Sequence, residues 1–154
     1  MLSFGRFVMN YGVWNGKRLM NEEYLRVATS KLIDNQETAF KDVLGHGYGY
    51  LIWRTEKNGF AFVGMGDQLT ICLPDYDLIF VCTADNQGCQ YSREMLLSSF
   101  FDIIVENIKD VPLSSDEEAY NELENLTQGL ALFSLNGKKC SSWSEKISGV
   151  KYAF

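Results

Sequence analysis

The sequence predicts an α+β fold in which an antiparallel β-meander follows N-terminal helices and is covered by a later, C-terminal helix. Three observations support this class. Apolar residues recur at helical spacing before residue 30, aromatic and β-branched runs separated by turn residues occupy residues 48–83, and an amphipathic stretch begins at residue 92. We expect residues 1–110 to form one domain and residues 111–154 to form a helix followed by a connector.

Two short helices are predicted at the N-terminus. Asn15-Gly16-Lys17, preceded by Gly12, supplies the turn that ends the first. Asn21 is positioned to cap the second, residues 22–28, whose two leading glutamates favour the positive end of the helix dipole. The apolar positions of the first helix are Leu2, Phe7, Val8, Tyr11 and Trp14. Residues 29–47 are mixed in polarity, and we expect an irregular connection there.

Four strands are predicted in the central region. Asn58-Gly59 lies between the first two and is typical of a type I′ hairpin turn with positive φ at both residues. Pro74-Asp75 separates the last two, since proline fixes φ and removes a strand donor. The predicted strands are residues 48–55, 60–65, 69–73 and 78–83, which we expect to form one antiparallel sheet.

A long helix over residues 92–108 is predicted to pack on this sheet, with Ser92 as its cap. Its expected buried face consists of Met95, Leu96, Phe100, Ile103, Ile104 and Ile108.

A further helix is predicted beyond Pro112. Ser115 to Glu118 has the pattern of a capping box, and the helix passes through three apolar positions before Gly129 ends it. Those positions are Tyr120, Leu123 and Leu126. We interpret residues 130–154 as a connector.

Composition and charge exclude several classes of function. The 154 residues carry 14 Lys+Arg against 20 Asp+Glu, a net charge of −6, which disfavours nucleic acid as a partner. The longest apolar stretch, residues 95–108, is interrupted by acidic residues and is too short for a membrane span. The N-terminal residues show no signal for export, so the localisation stays open.

Cysteine and histidine usage argues against a metal or another cofactor. Cys72, Cys82, Cys89 and Cys140 form no Cys-x-x-Cys pair, and His46 is the single histidine. A tetrahedral zinc site therefore lacks ligands. We expect free thiols that pack as small apolar groups, no metal and no cofactor.

Other short motifs have simple structural interpretations. The glycines at 45, 47 and 49 and at 64 and 66 do not lie between a strand and a helix N-terminus, so turns or close packing explain them better than phosphate binding. His46 is interpreted as a hydrogen-bonding loop residue, and residues 116–118 as a solvated helix start. The following aromatic residues are expected to pack across strands: Tyr48, Tyr50, Trp53, Phe60 and Phe62.

Two blocks of sequence resemble the serine β-lactamase-like hydrolases, which include class C β-lactamases, penicillin-binding DD-peptidases and related esterases. The first block covers residues 7–30 and contains Tyr-Gly-Val-Trp-Asn-Gly-Lys-Arg-Leu-Met; the second covers residues 47–81 and contains Gly-Tyr-Gly-Tyr-Leu-Ile-Trp and Gly-Asp-Gln-Leu-Thr-Ile. The resemblance extends over roughly residues 2–108 in the family's order. It implies part of a β-lactamase/transpeptidase-like fold.

The resemblance also implies an internal to C-terminal fragment. In this family the nucleophilic Ser-x-x-Lys and the Tyr-x-Asn or Ser-x-Asn motif precede the matching segment, and a serine is a poor nucleophile without such a neighbouring base. The one literal Ser-x-x-Lys, Ser148 to Lys151, contains Gly149 and a β-branched residue, which do not favour the helix that the motif needs. We expect no catalytic residue in this chain. Residues 146–152 resemble a junction to an appended C-terminal domain.

The family's third motif, Lys-Thr-Gly or a His-x-Gly variant, lies on a strand that flanks the substrate cleft, and it falls by position on Gly64, Met65, Gly66, Asp67 and Gln68. Met65 lies near the place where relatives carry histidine, and Asp67 where glycine is common. Methionine donates no strong hydrogen bond, so these residues are expected to form a wall of the cleft without recognising a carboxylate through a side chain.

Two functions follow. The leading hypothesis is a non-catalytic part of a β-lactamase-like hydrolase that cleaves amides or esters through an acyl-serine, with the remainder of the parent as partner. The alternative is a stand-alone binding or interaction domain with a degenerate version of the fold. In the family fold the strand that matches residues 78–83 also pairs with an N-terminal strand, so the fragment hypothesis implies an open sheet edge there. Because these residues contain no charge and no proline, we expect the edge to promote self-association.

Overall fold

The computed structural model describes residues 1–37, 44–89, 91–131 and 137–153. The chain divides into two compact units, Met1–Lys109 and Asp110–Phe154. Parts of the predicted connections, at 38–43, 132–136 and 154, lie outside the described residues, as does residue 90. No helix of the described ranges is both long enough and apolar enough to cross a membrane.

The Met1–Lys109 unit is α+β, as predicted, with a four-stranded antiparallel sheet. Its strands pair in sequence order, β3-β4-β5-β6, and a separate hairpin pairs β1 with β2. The elements are α1 (Leu2–Met9), β1 (Val13–Trp14), β2 (Lys17–Arg18), α2 (Glu22–Ala28), β3 (Trp53–Arg54), β4 (Phe60–Gly64), β5 (Gln68–Leu73), β6 (Leu78–Cys82) and α3 (Ser92–Ser99).

Alternation along β5 explains why both faces of the sheet are covered. Leu69, Ile71 and Leu73 belong to one buried cluster with residues of α3 and the turns after it, whereas Cys72 belongs to a second cluster with residues of α1 and α2. Since successive strand residues face opposite sides, the continuous burial of residues 69–73, Thr70 included, fits a central strand with two covered faces. Gly5 lets α1 approach closely, because a Cβ there would lie 2.9 Å from Thr70 Cγ2.

The first strand is much shorter than predicted. Only residues 53 and 54 pair with β4, whereas residues 48–52 form a loop against the end of α2. Leu51 has a φ of +58°, which breaks the extended run, and the Tyr50 amide donates to the Ala28 carbonyl at 3.0 Å. Tertiary contacts with α2 thus outweigh the high strand propensity of this segment.

The hairpin between β3 and β4 is confirmed, but its turn is shifted by one residue. Positive φ occurs at Lys57 (+54°) and Asn58 (+55°), not at Gly59. The Gly59 amide donates to the Glu56 carbonyl at 3.1 Å and closes the turn. Gly59 is required for space instead, because a Cβ would lie 2.3 Å from Thr55 Oγ1 and 2.4 Å from Leu73 Cδ2.

The helix predicted over residues 92–108 changes its winding. α3 continues into a π-helical segment, Phe100–Ile104, and then a 3₁₀ turn, Val105–Asn107. The wider π turn inserts an extra residue and shifts the buried stripe. Ile104 is therefore 47% exposed where burial was predicted. Met95, Ile103 and Ile108 are exposed as well, and the buried residues are Leu97, Phe100, Phe101 and Val105.

Helix caps were predicted with mixed success. Asn21 caps α2 by accepting from the Tyr24 amide at 3.1 Å, as expected. Ser92 is the first residue of α3 and its hydroxyl bonds elsewhere, which corrects its assignment as a cap.

The Asp110–Phe154 unit contains α4 (Glu117–Gln128) and α5 (Ser144–Ile147). Asp116 caps α4 through the Ala119 amide at 3.0 Å, one residue after the predicted Ser115, and Gly129 follows its end as expected. The side chains of α4 are exposed, the apolar Tyr120, Leu123 and Leu126 included. Residues 116–118 form a solvated helix start, as predicted.

Candidate functional site

The five residues predicted as a cleft wall form the turn between β4 and β5. Gly64 pairs with Gln68 across the ladder, and the other three residues make the connection. Gly66 and Asp67 have φ values of +73° and +67°. Glycine adopts this conformation freely, and aspartate tolerates it better than most residues.

Within this turn the side chains have opposite environments. Met65 is 78% exposed, whereas Asp67 is 3% exposed. The turn thus presents an apolar side chain to solvent and keeps its carboxylate inside the fold.

The Asp67 carboxylate joins the turn to the start of α3. Its Oδ2 accepts hydrogen bonds from Ser92 Oγ at 2.7 Å and Asn86 Nδ2 at 3.0 Å, and its Oδ1 accepts from Arg93 Nε at 2.9 Å. Burial alone would raise the pKa of Asp67, but the hydrogen bonds from Ser92, Asn86 and Arg93, with the charge of Arg93, lower it below the ordinary value. The group therefore stays ionised and holds the turn in place.

Two further contacts fasten the turn to the segment after β6. The Asn86 amide donates to the Gly66 carbonyl at 3.3 Å, and Gln68 Nε2 donates to the Ala84 carbonyl. The turn is consequently a rigid backbone feature whose polar side chains are occupied by the fold. Sequence reasoning located it but missed Asn86, Ser92 and Arg93, which follow it by 19 to 26 positions and show no local signal.

A second cluster at the other end of β4 was also missed. Arg54 Nη1 donates to the Thr29 carbonyl at 3.0 Å and Nη2 to Asn58 Oδ1 at 2.7 Å, while Asn58 Nδ2 donates to Asp75 Oδ2 at 3.3 Å. This chain of contacts connects the end of α2 with the β3–β4 hairpin. A single arginine in an aromatic run was the only sequence signal for it.

The remaining predicted motifs have mainly structural roles. Gly47 and Gly49 are close-packing positions, as expected, because Cβ atoms there would lie 2.4 Å from Lys31 Cγ and 2.1 Å from the Ala28 carbonyl oxygen. Tyr48 packs edge-on against Trp53, with ring centroids 4.7 Å apart. Tyr50 pairs instead with Tyr24 of α2 and lies outside the strands.

The thiols differ in their surroundings. Cys72 is buried, and burial raises its pKa to about 12, so it is an inert core group. All four thiols are free, as expected, but Cys82 is only half-buried and Cys89 and Cys140 are exposed, so the expected burial is wrong for the last two. Within the described residues, no group of three or more His, Cys, Asp or Glu side chains is arranged to hold a metal ion.

Ser148 does not occupy the position of a nucleophile. It follows the end of the four-residue α5, with an extended ψ of 131°, and the next residue, Gly149, has a φ of +76°. Ser148 to Lys151 is therefore not helical, as the sequence predicted.

No protein-family model matches the chain, and a search of curated proteins finds no match either.

Proposed function

We propose that the Met1–Lys109 unit is the sheet-bearing part of a β-lactamase-like serine hydrolase and that the turn from Gly64 to Gln68 forms one wall of its substrate cleft. The catalytic serine, lysine and tyrosine would come from the remainder of the parent protein. The reaction of the whole enzyme would be hydrolysis of an amide or ester through an acyl-serine.

The observation that carries this proposal is the construction of the turn. A cleft wall must keep its backbone fixed while substrate passes, and Asp67 fixes this backbone through three hydrogen bonds. Met65 remains exposed beside it and would supply an apolar contact. The sequence resemblance over residues 2–108 adds the order of the strands and of the covering helix.

Activity of the isolated chain is the direct test of its non-catalytic role. We expect no hydrolysis of a chromogenic β-lactam or of short-chain p-nitrophenyl esters above a protein-free blank, because the chain lacks the family's serine, lysine and tyrosine set. Ser92 does donate its hydroxyl hydrogen to Asp67 at 2.7 Å, but its side chain is buried and serves the structure of the turn. Ser148→Ala should behave identically to the unchanged chain. Turnover that disappears in Ser148→Ala would overturn the proposal.

The reading frame upstream of the Met1 codon tests the relationship to a parent. A Ser-x-x-Lys followed by a Tyr-x-Asn in that frame supports the proposal. A stop codon and a ribosome-binding site there would instead favour the stand-alone binding domain.

Complementation provides a functional form of the same test. If the upstream segment carries both motifs, its co-production with this chain should restore hydrolysis. Asp67→Asn should reduce the restored activity because it loosens the cleft wall, whereas the exposed Asp85→Asn should not.

A further inference from the structure

A polar groove of about 390 Å³ adjoins the end of α2 and the β3–β4 hairpin. Three cationic side chains line it, Arg26, Lys31 and Arg54, together with His46. None of its described lining residues is an aspartate or glutamate, although acidic residues outnumber basic ones by 20 to 14 in the whole chain. The lining of the groove is thus rich in basic side chains, although Glu22 and Asp34, outside the lining, pair with Arg26 and Lys31.

Arg54 is the central group of this groove. It also lines an adjoining pocket of about 110 Å³, so it lies where the two cavities meet. Its two hydrogen-bond acceptors, the Thr29 carbonyl and the Asn58 side chain, are neutral. Within the described part of the chain no carboxylate lies at salt-bridge distance from it, although the Asp75 carboxylate, which accepts from Asn58, is near enough to attract its charge.

The charge of Arg54 is therefore partly desolvated, and the Asp75 carboxylate attracts it without forming a salt bridge with it in the described residues. Burial lowers the pKa of this guanidinium, although an arginine remains protonated at any physiological pH. Desolvated charges in proteins are usually paired. A guanidinium has five N–H donors, and within the described ranges Arg54 donates one hydrogen bond from Nη1 and one from Nη2. An anion would supply the missing partner.

The two outer cations are available to the same ligand. Arg26 pairs with Glu22 at 2.6 Å and Lys31 with Asp34 at 3.3 Å, but both are exposed pairs within one turn of chain, which bind weakly. Thr29 donates its hydroxyl hydrogen to the Leu25 carbonyl at 2.9 Å, so it helps to satisfy the end of α2.

We propose that this groove binds the oxyanion group of a small molecule, a carboxylate or a phosphate, with Arg54 as the principal contact and Arg26 and Lys31 as supporting charges. Both ligand groups match the planar donor fork of arginine. This inference does not depend on hydrolase activity.

Titration of the full chain, followed by ¹H–¹⁵N NMR, tests the proposal. Sodium sulfate serves as the probe for a phosphate group and sodium acetate as the probe for a carboxylate, each compared with sodium chloride at matched ionic strength. We expect saturable shifts at the Arg54 side chain and at the Thr29 and Ser30 amides with at least one probe. The probe that binds with the higher affinity identifies the ligand class, phosphate for sulfate and carboxylate for acetate.

Substitutions distinguish a site from general charge attraction. Arg54→Gln should weaken binding roughly tenfold or more, because it removes a charge-assisted contact. Arg6→Gln, on the exposed side of α1 and outside the groove lining, removes the same charge and should leave the affinity nearly unchanged. Shifts that also appear in chloride, or affinity that survives Arg54→Gln, would refute the site.

A second variant keeps the test decisive if Arg54→Gln fails to fold. Arg26 is exposed, so Arg26→Gln should preserve the fold and still weaken anion binding several-fold. Unchanged affinity in that variant would overturn the proposal.

Discussion

Replacing Asp67 with asparagine is the sharpest perturbation of the turn between β4 and β5. The substitution keeps the shape of the side chain but removes its charge and replaces one acceptor oxygen with an NH₂ group. Donors from three residues meet this carboxylate, Asn86, Ser92 and Arg93. In the variant the new NH₂ group therefore faces the donor group of at least one of these three residues.

The expected cost follows from the burial of the group. Asp67 is 3% exposed, and the Arg93 side chain is 24% exposed, so their contact at 2.9 Å is largely shielded from water. Removing one partner of such a pair, with a second hydrogen bond disrupted, should lower the free energy of unfolding by about 2–4 kcal/mol.

Urea unfolding of the full chain, followed by tryptophan fluorescence, measures this cost. Trp53 is partly buried and packs against the core that contains β5, so its emission reports on the same unit. Asp85→Asn is the matched control, because Asp85 is exposed and accepts only a weak bond from Gln87 Nε2 at 3.4 Å. If both variants lose the same free energy of unfolding, within about 0.5 kcal/mol, the hydrogen bonds of Asp67 do not hold the turn.

The pH dependence gives an independent check. The folded-state pKa of Asp67 is lowered, while an unfolded aspartate titrates at about 3.9. The contribution of Asp67 to the free energy of unfolding is therefore complete well above pH ~4, and it is lost as the pH falls through the lower pKa of the folded state. The stability gap between the unchanged chain and Asp67→Asn should narrow on acidification below about pH 4. A gap that stays constant or widens would contradict the assigned ionisation.

Three more predictions concern packing, thiols and assembly. Gly5→Ala should cost about 1–3 kcal/mol because its Cβ would approach Thr70 Cγ2, whereas the exposed Ser3→Ala on the same helix should be nearly neutral in urea unfolding. Ellman's reagent should label Cys89 and Cys140 in the folded chain but Cys72 only in urea; fast native labelling of Cys72 would disprove its burial. Light scattering should show dimers that the edge substitution Thr83→Lys reduces, and a monomer at every concentration would exclude edge pairing through β6.

Local sequence signals predicted the β3–β4 and β5–β6 hairpins but not the β1–β2 hairpin. Tyr11 and Trp14 were predicted as apolar positions of the first helix, but α1 ends at Met9 and Trp14 lies in β1. Asn15 and Gly16 both adopt positive φ, as an Asn-Gly turn requires. The second Asn-Gly pair looks identical in sequence, yet its turn residues are Lys57 and Asn58. Gly59 has a steric role instead, because a Cβ there would meet Thr55 Oγ1 and Leu73 Cδ2, and the contact with Leu73 cannot be seen in the local pattern.

The covering helix shows a similar limit. Helical periodicity predicted that residues 92–108 cover the sheet, and Phe100 is indeed buried in its cluster. A fixed period of 3.6 also placed Ile104 inside, because nothing in the sequence indicates a π turn. The winding changes within Phe100–Ile104, and Val105 takes the buried position instead.

The candidate site illustrates why contiguous residues need not share a role. Sequence position grouped five neighbours as one wall, but folding separates Met65, which is exposed, from Asp67, which is buried and bonded to the start of α3. A substitution at Met65 should therefore alter only the surface that a ligand would meet, whereas a substitution at Asp67 should alter the position of the turn itself. This separation lets the exposed side chain vary while the backbone stays fixed, which is the property that the proposed cleft wall requires.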